Sequence, residues 1–200
     1  MSLNTEVFLK LNADADPSPV MQLITGTLAF SPVLLAPILL TCLWVWGDPK
    51  RRPALLAVTG ALFAGQAVNM LLGMAWYEPR PFMVGVGHTW LVHVADNGFP
   101  SDHATLAWSL GLGLLLTKGA PFWGAVACLL GLAAGWARVY LGVHFPIDVL
   151  VSIPVGFISA LVARLMLPAV KAWVLPLAER LYDAVLDRLP DRFPLPRRSK

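Results

Sequence analysis

Three clusters between Arg80 and Asp148 hold the residues whose types and spacing suit chemistry. They are Arg80-Pro81-Phe82, then Pro100-Ser101-Asp102-His103, then Arg138 followed by His144 and Asp148. Each cluster borders an apolar run long enough to cross a membrane, where ionisable groups are costly and usually functional. The two arginines carry planar, permanently charged forks that grip phosphate oxygens in pairs. The histidines offer a nucleophile and a proton donor, and the aspartate a group to orient one of them. The combination suits a phosphate ester or anhydride.

The elements that position these groups follow from the same residues. Pro146 is a natural first-turn residue, so a helix starting there leaves His144 at its mouth and Asp148 in its first turn. Asp148 can then accept a hydrogen bond from one imidazole nitrogen and leave the other free to attack. The pair also fits a plainer role, two polar residues at a helix start, and spacing alone does not choose. Ser101 reads as the N-cap of another helix, with Asp102 and His103 in its first turn. Helix N-termini bind phosphate readily, so Ser101 Oγ and nearby N–H groups suit phosphoryl oxygens while His103 supplies a proton. Asp102 either caps its helix or shapes selectivity for diphosphate. Each arginine alone would more often be an interface snorkeller. All five groups bordering spans on one side argues against coincidence.

Composition sets the class. Of 200 residues, 57% are hydrophobic and only 14% charged, and the mean hydropathy is +0.66. Soluble domains are nearer one quarter charged, so the chain reads as an all-α polytopic membrane bundle. Spans are expected at 17–47, 54–77, 103–117, 122–137 and 146–167, about five transmembrane helices, the first two without a charged residue. Pro32 and Pro37 predict a kink in the first. Gly60, Gly65 and Gly73 suit close helix packing in the second. Pro168 is expected to close the fifth. Short amphipathic, interfacial helices are expected at 3–14 and 169–189. Residues 1–168 are then expected to form one membrane-embedded domain carrying the three clusters, and 169–200 a cytoplasmic amphipathic helix with a basic tail. The N-terminal region lacks the basic start of a signal peptide, so the first span is expected to stay as an anchor. Cys42 and Cys128 lie inside apolar runs without metal-ligand spacing, and no metal or cofactor is expected.

Twelve of the fifteen Lys and Arg residues fall in the first loop, the third loop and the C-terminal region. Five spans put these on one face, which the positive-inside rule makes cytoplasmic. The exceptions are Lys10, Arg80 and Arg138. The expectation is a bacterial inner (cytoplasmic) membrane protein with its site on the periplasmic or extracellular side and a cytoplasmic C-terminus. Orientation and anionic lipid account for the net charge of +3, so nucleic acid is not an expected partner.

With these residues placed, the chain resembles the type-2 phosphatidic acid phosphatases. Their signature is Lys, six residues, Arg-Pro; then Pro-Ser-Gly-His; then Ser-Arg, five residues, His, three residues, Asp. Arg80-Pro81, Pro100-Ser101-Asp102-His103 and Ala137-Arg138 with His144 and Asp148 match it, over about residues 60 to 160. Gly73 stands where the Lys is usual, Ala137 where Ser is, and Asp102 where Gly is. The Asp102 change, the Gly85/Gly87 turn, His93, Asp96 and Phe99 are similar to the bacterial undecaprenyl-diphosphatase branch. The resemblance implies attack by His144 on phosphorus to give a phosphohistidine, with Asp148 orienting it. It also implies His103 as acid and then base, and Arg80, Arg138 and Ser101 holding the phosphoryl group. Asp102 and His93 join the substrate-binding set on the branch resemblance. Glu78 reads as a charge partner orienting Arg80.

The expected substrate is therefore a polyprenyl diphosphate drawn from the bilayer, hydrolysed to undecaprenyl phosphate and inorganic phosphate. Alternatives are another lipid phosphate, such as phosphatidylglycerol phosphate or phosphatidate, and a carrier that binds lipid phosphate without cleaving it. A homo-oligomer is left open by the sequence.

Overall fold

The structure is a computed structural model and describes residues 1–188. Helix α1 (Leu3–Leu11) precedes five longer helices: α2 (Pro19–Trp46), α3 (Arg52–Ala75), α4 (Asp102–Leu116), α5 (Pro121–Tyr140) and α6 (Pro146–Ala169). A π-helical turn (Val170–Val174) joins α6 to α7 (Leu175–Leu186), and no strand occurs among the described residues. The chain is thus the expected all-α membrane bundle. Helical stretches at Pro19–Trp46, Pro49–Ala75, Pro121–Tyr140 and Pro146–Leu186 are long and apolar enough to cross a membrane.

Helix α4 is different. At fifteen residues it is about 22 Å long, and nine of those residues are buried. It is the inner helix, and small residues let its neighbours close on it. A Cβ on Gly111 would meet the Cys128 backbone nitrogen at 2.8 Å, and one on Gly124 the Gly111 carbonyl at 2.8 Å. The α4–α5 crossing therefore depends on backbone-to-backbone approach. On α3 only Gly65 plays the expected packing role, with Ser109, Ser159 and Thr105 around it; Gly60 faces open space. The main apolar core, with Leu40, Leu55, Val58, Leu110 and Leu114, sits away from the chemistry-bearing residues. Leu23, Leu34, Phe63, Met70, Leu129 and Leu165 are exposed on the outside, as a lipid-facing surface requires.

Two expectations about the ends are corrected. Pro168 does not close the fifth span: the helix continues through the π turn into α7, forming a 41-residue stretch. A proline deletes one donor and crowds one carbonyl, and the wider turn that follows takes up the change in register. Helix α1 stops at Leu11, not at residue 14, because the Asn12 N–H closes on the Phe8 carbonyl and the Ala13 N–H turns to Tyr140. It is also not merely interfacial. Phe8 is fully buried, edge-on to Phe145 with centroids 5.2 Å apart. Helix α7 docks against the bundle through Arg52, whose guanidinium lies 4.9 Å from both the Trp44 and Tyr182 rings and 3.5 Å from Glu179. Leu189 and the basic end lie outside the described residues.

Candidate active site

The ends of α3, α5 and the starts of α4 and α6 meet on one side of the bundle, and the three sequence clusters come together there. The second and third clusters are stitched by backbone. The Ser101 N–H donates to the Asp148 carbonyl at 3.1 Å, and Ser152 Oγ donates to the Ser101 and Asp148 carbonyls at 3.0 Å each. Ser152, one turn further along α6, was missed in the sequence because it looks like any serine in an apolar helix.

Asp148 is fully buried. Its Oδ2 accepts from the Phe145 N–H at 2.8 Å, capping α6, and stands 3.5 Å from His144 Nδ1. So the aspartate caps the helix and faces the imidazole at once, and the two readings of the spacing are not exclusive. His144 Nε2 lies 3.1 Å from Arg80 NH1. Because a guanidinium only donates, Nε2 must be the acceptor, which puts the ring proton on Nδ1, 3.5 Å from Asp148 Oδ2 and without a hydrogen bond formed. Burial, with the Arg138 and Arg80 charges and His93 adding to it, holds the His144 pKa well below the ordinary imidazole value. Both the Arg80 contact and the lowered pKa favour the neutral ring, with its free lone pair on Nε2. The turn that presents it needs Gly142, at φ +79°, where a Cβ would strike the His88 carbonyl.

Arg80 is buried and bonded through all three guanidinium nitrogens. Its Nε bonds Asp96 Oδ1 at 2.8 Å, NH1 the Val143 carbonyl at 3.0 Å, and NH2 the Asn97 carbonyl at 3.2 Å. The orienting carboxylate is therefore Asp96 rather than Glu78, which instead accepts from Trp76 Nε1 at 3.4 Å. A sequence neighbour was favoured over a loop residue that only the chain reversal between Pro79 and Asn97 brings back. Arg138, in the last turn of α5, is buried as well. Its NH2 donates to His93 Nε2 at 3.0 Å, and His93 Nδ1 meets the Val94 carbonyl at 3.1 Å, which fixes that ring's tautomer too. Burial is the main cause that lowers the His93 pKa, with Arg80 and Arg138 helping. The His93 and His144 rings lie 6.4 Å apart.

Several buried polar atoms here have no protein partner: Ser101 Oγ, Arg138 Nε and NH1, His144 Nδ1 and Asp148 Oδ1. A hydroxyl and two guanidinium donors left open beside a histidine are what a bound oxyanion would satisfy. His103 is half-buried at the edge, its ring 5.6 Å from that of Phe30 on α2, near enough to Arg138, His93 and Arg80 for their charges to act on it. Asp102 is tied to α3, where Asn69 Nδ2 donates to its Oδ1 at 2.9 Å and Gln66 to its carbonyl at 3.2 Å. The candidate metal-ligating sets of three or more His, Cys, Asp or Glu number none among the described residues.

This geometry agrees with the sequence relationships. The family model of the PAP2 superfamily matches residues 54–172. The chain belongs to the PAP2 superfamily. It is 32% identical to YbjG of Escherichia coli (strain K12), over 82% of this chain and 83% of that one. It is 30% identical to undecaprenyl-diphosphatase BcrC of Bacillus subtilis (strain 168), over 94% and 95% respectively. The crystal structure of Aquifex aeolicus LpxE superposes with a TM-score of 0.67 at 23% identity, covering 82% of this chain and 95% of that one, and so shares the fold.

Proposed function

We propose that the protein hydrolyses undecaprenyl diphosphate to undecaprenyl phosphate and inorganic phosphate, through a phosphohistidine on His144. The broader statement, that the chain is a membrane hydrolase acting on a phosphoric anhydride, rests on family membership and the likeness to BcrC. The observation that carries the finer reading is the placement of His144, Nδ1 3.5 Å from Asp148 Oδ2 and Nε2 3.1 Å from Arg80 NH1, among open donors of Ser101 and Arg138.

In this reading the terminal phosphoryl group enters between Ser101 Oγ and the Arg138 guanidinium, and Arg80 NH1 transfers its hydrogen bond from Nε2 to a phosphoryl oxygen. His144 Nε2 attacks the terminal phosphorus as the bond to the bridging oxygen breaks. The electron pair leaves on that oxygen, and His103 protonates the departing undecaprenyl phosphate. Water then attacks the phosphohistidine, giving its proton to His103, and the P–N bond breaks to release phosphate and restore His144. Asp148 stabilises the positive charge that ring gains. Arg80, Arg138 and Ser101 stabilise the charge on the phosphoryl oxygens, an effect of about 3–4 kcal/mol per well-placed donor. Residues 1–168 would carry this activity and the described part of the C-terminal region, from residue 169, would lie on the cytoplasmic face, the site facing the opposite side of the inner membrane.

Phosphate release from undecaprenyl diphosphate by the purified protein, in chelator, is the test. Wild-type release with loss in His144→Ala is expected. Equal release from both would remove His144 as nucleophile. Release only from phosphatidylglycerol phosphate or phosphatidate would reassign the lipid, and binding without release would make the protein a carrier.

A further inference from the structure

Asn97, four residues before Ser101, uses every bonding position of its side-chain amide. Nδ2 donates to the Gly73 and Trp76 carbonyls, both at 2.8 Å. Oδ1 accepts from the Glu78 N–H at 3.0 Å and the Phe99 N–H at 3.1 Å. Its backbone carbonyl accepts from Arg80 NH2 at 3.2 Å, and the next residue closes the turn, Gly98 N–H to the Glu78 carbonyl at 2.9 Å. The two carbonyls it takes up lie at the C-terminal end of α3, where a helix has no acceptor-satisfying donors of its own. One side chain thus joins the end of α3 to the strand-like stretch leading into Arg80 and to the stretch leading into Ser101.

The clasp needs room at position 73. A Cβ on Gly73 would come 3.2 Å from Asn97 Nδ2 and 3.3 Å from the Phe99 carbonyl, tighter than ordinary contact. A longer side chain at 73 would also have to leave past the same amide.

We infer that Asn97 is a positioning residue of the phosphate site, acting through Arg80 and the Ser101 segment, and that Gly73 is the space it requires. This rests on the reading that Arg80 and Ser101 face phosphate. It explains how a chain with glycine at 73 keeps its first cluster fixed: the register comes from an amide in the second loop. Neither Asn97 nor Gly73 touches the reacting atoms.

The test uses the full chain in detergent micelles, with inorganic phosphate as probe and thermal stabilisation by phosphate as readout, alongside initial rates on undecaprenyl diphosphate. Asn97→Asp keeps the shape and loses both donors. It is expected to weaken phosphate binding and to lower kcat/KM by about 10- to 100-fold, the usual scale for a misplaced binding group. In an Arg80→Lys background the same change should cost less than about two-fold, because residues acting through one another are not additive. A full, multiplicative loss in that background would mark a merely structural role and overturn the inference, as would unchanged phosphate binding in Asn97→Asp. Gly73→Ala is expected to move phosphate binding in the same direction by less, and carries the test if Asn97→Asp does not fold. A wild type that is not stabilised by phosphate at all would sink the site reading, and the inference with it.

Discussion

Arg80 NH1 lies 3.1 Å from His144 Nε2; in the proposed mechanism an arriving phosphoryl oxygen would replace it, and the free site would hold its nucleophile neutral and covered. The acid limb of kcat/KM should therefore lie below pH 6.5: protonation of His144 removes the nucleophile, and burial, Arg138 and Arg80 all oppose that protonation. A limb at or above pH 6.5 in a pH–rate profile would contradict this. The same shift bears on stability. The unfolded chain takes up a proton near pH 6.5 and the folded chain only below it, so His144 makes folding less favourable as pH falls below about 6.5. Asp96→Asn is expected to lower kcat/KM about ten-fold by loosening a charged hydrogen bond, whereas Glu78→Gln should change it little. Measuring both variants separates the observed partner of Arg80 from the nearer one in sequence. At this scale the sequence was legible where a residue type and a fixed offset sufficed, as for Arg138, His144 and Asp148. It was not legible for Asn97 and Ser152, nor for Asp96 as the partner of Arg80, because those contacts depend on a loop returning to a helix end. Asn and Ser have common turn and capping uses that hide such a role.

Among the elements, α1 does more than its amphipathic pattern announced. Asn4 Oδ1 accepts from the Ile147 N–H at 3.1 Å, Phe8 packs on Phe145 and Val139, and Asn12 bonds the His88 and Tyr140 carbonyls at 2.9 and 3.0 Å. These contacts bracket the turn that carries His144. Phe8→Ala should cost about 3–5 kcal/mol, read as a fall in the thermal midpoint with activity falling in parallel as the turn loosens. Gly124→Val should separate α4 from α5 at about 1–3 kcal/mol of overpacking, read as reduced folded yield in detergent. Helix existence and order followed from apolar runs and Pro or Ser starts. The depth of burial of α1 did not, because a buried Phe8 and an exposed Leu3 look alike in an amphipathic pattern. Nor did the continuation past Pro168, since a proline reads as a stop unless the π turn beyond it is known.

For the molecule as a whole, the basic loops and the three clusters lie at opposite ends of one bundle. Val92, fully exposed in the loop beside His93, marks the site end, and Lys118 marks the other. In intact cells of an outer-membrane-permeabilised host, Val92→Cys should react with an impermeant maleimide and Lys118→Cys should not. The reverse pattern would invert the orientation. The short inner helix α4 has a further consequence. At about 22 Å it falls short of a hydrocarbon core of about 30 Å, while the helices around it are long enough to span, so on the proposed reading the reacting groups at its N-terminal end would be recessed below the lipid–water boundary instead of standing at it. How far a lipid headgroup must sink to reach them then depends on bilayer thickness. In vesicles of graded acyl-chain length, turnover should fall as the membrane thickens, making the enzyme a reader of its own membrane's depth.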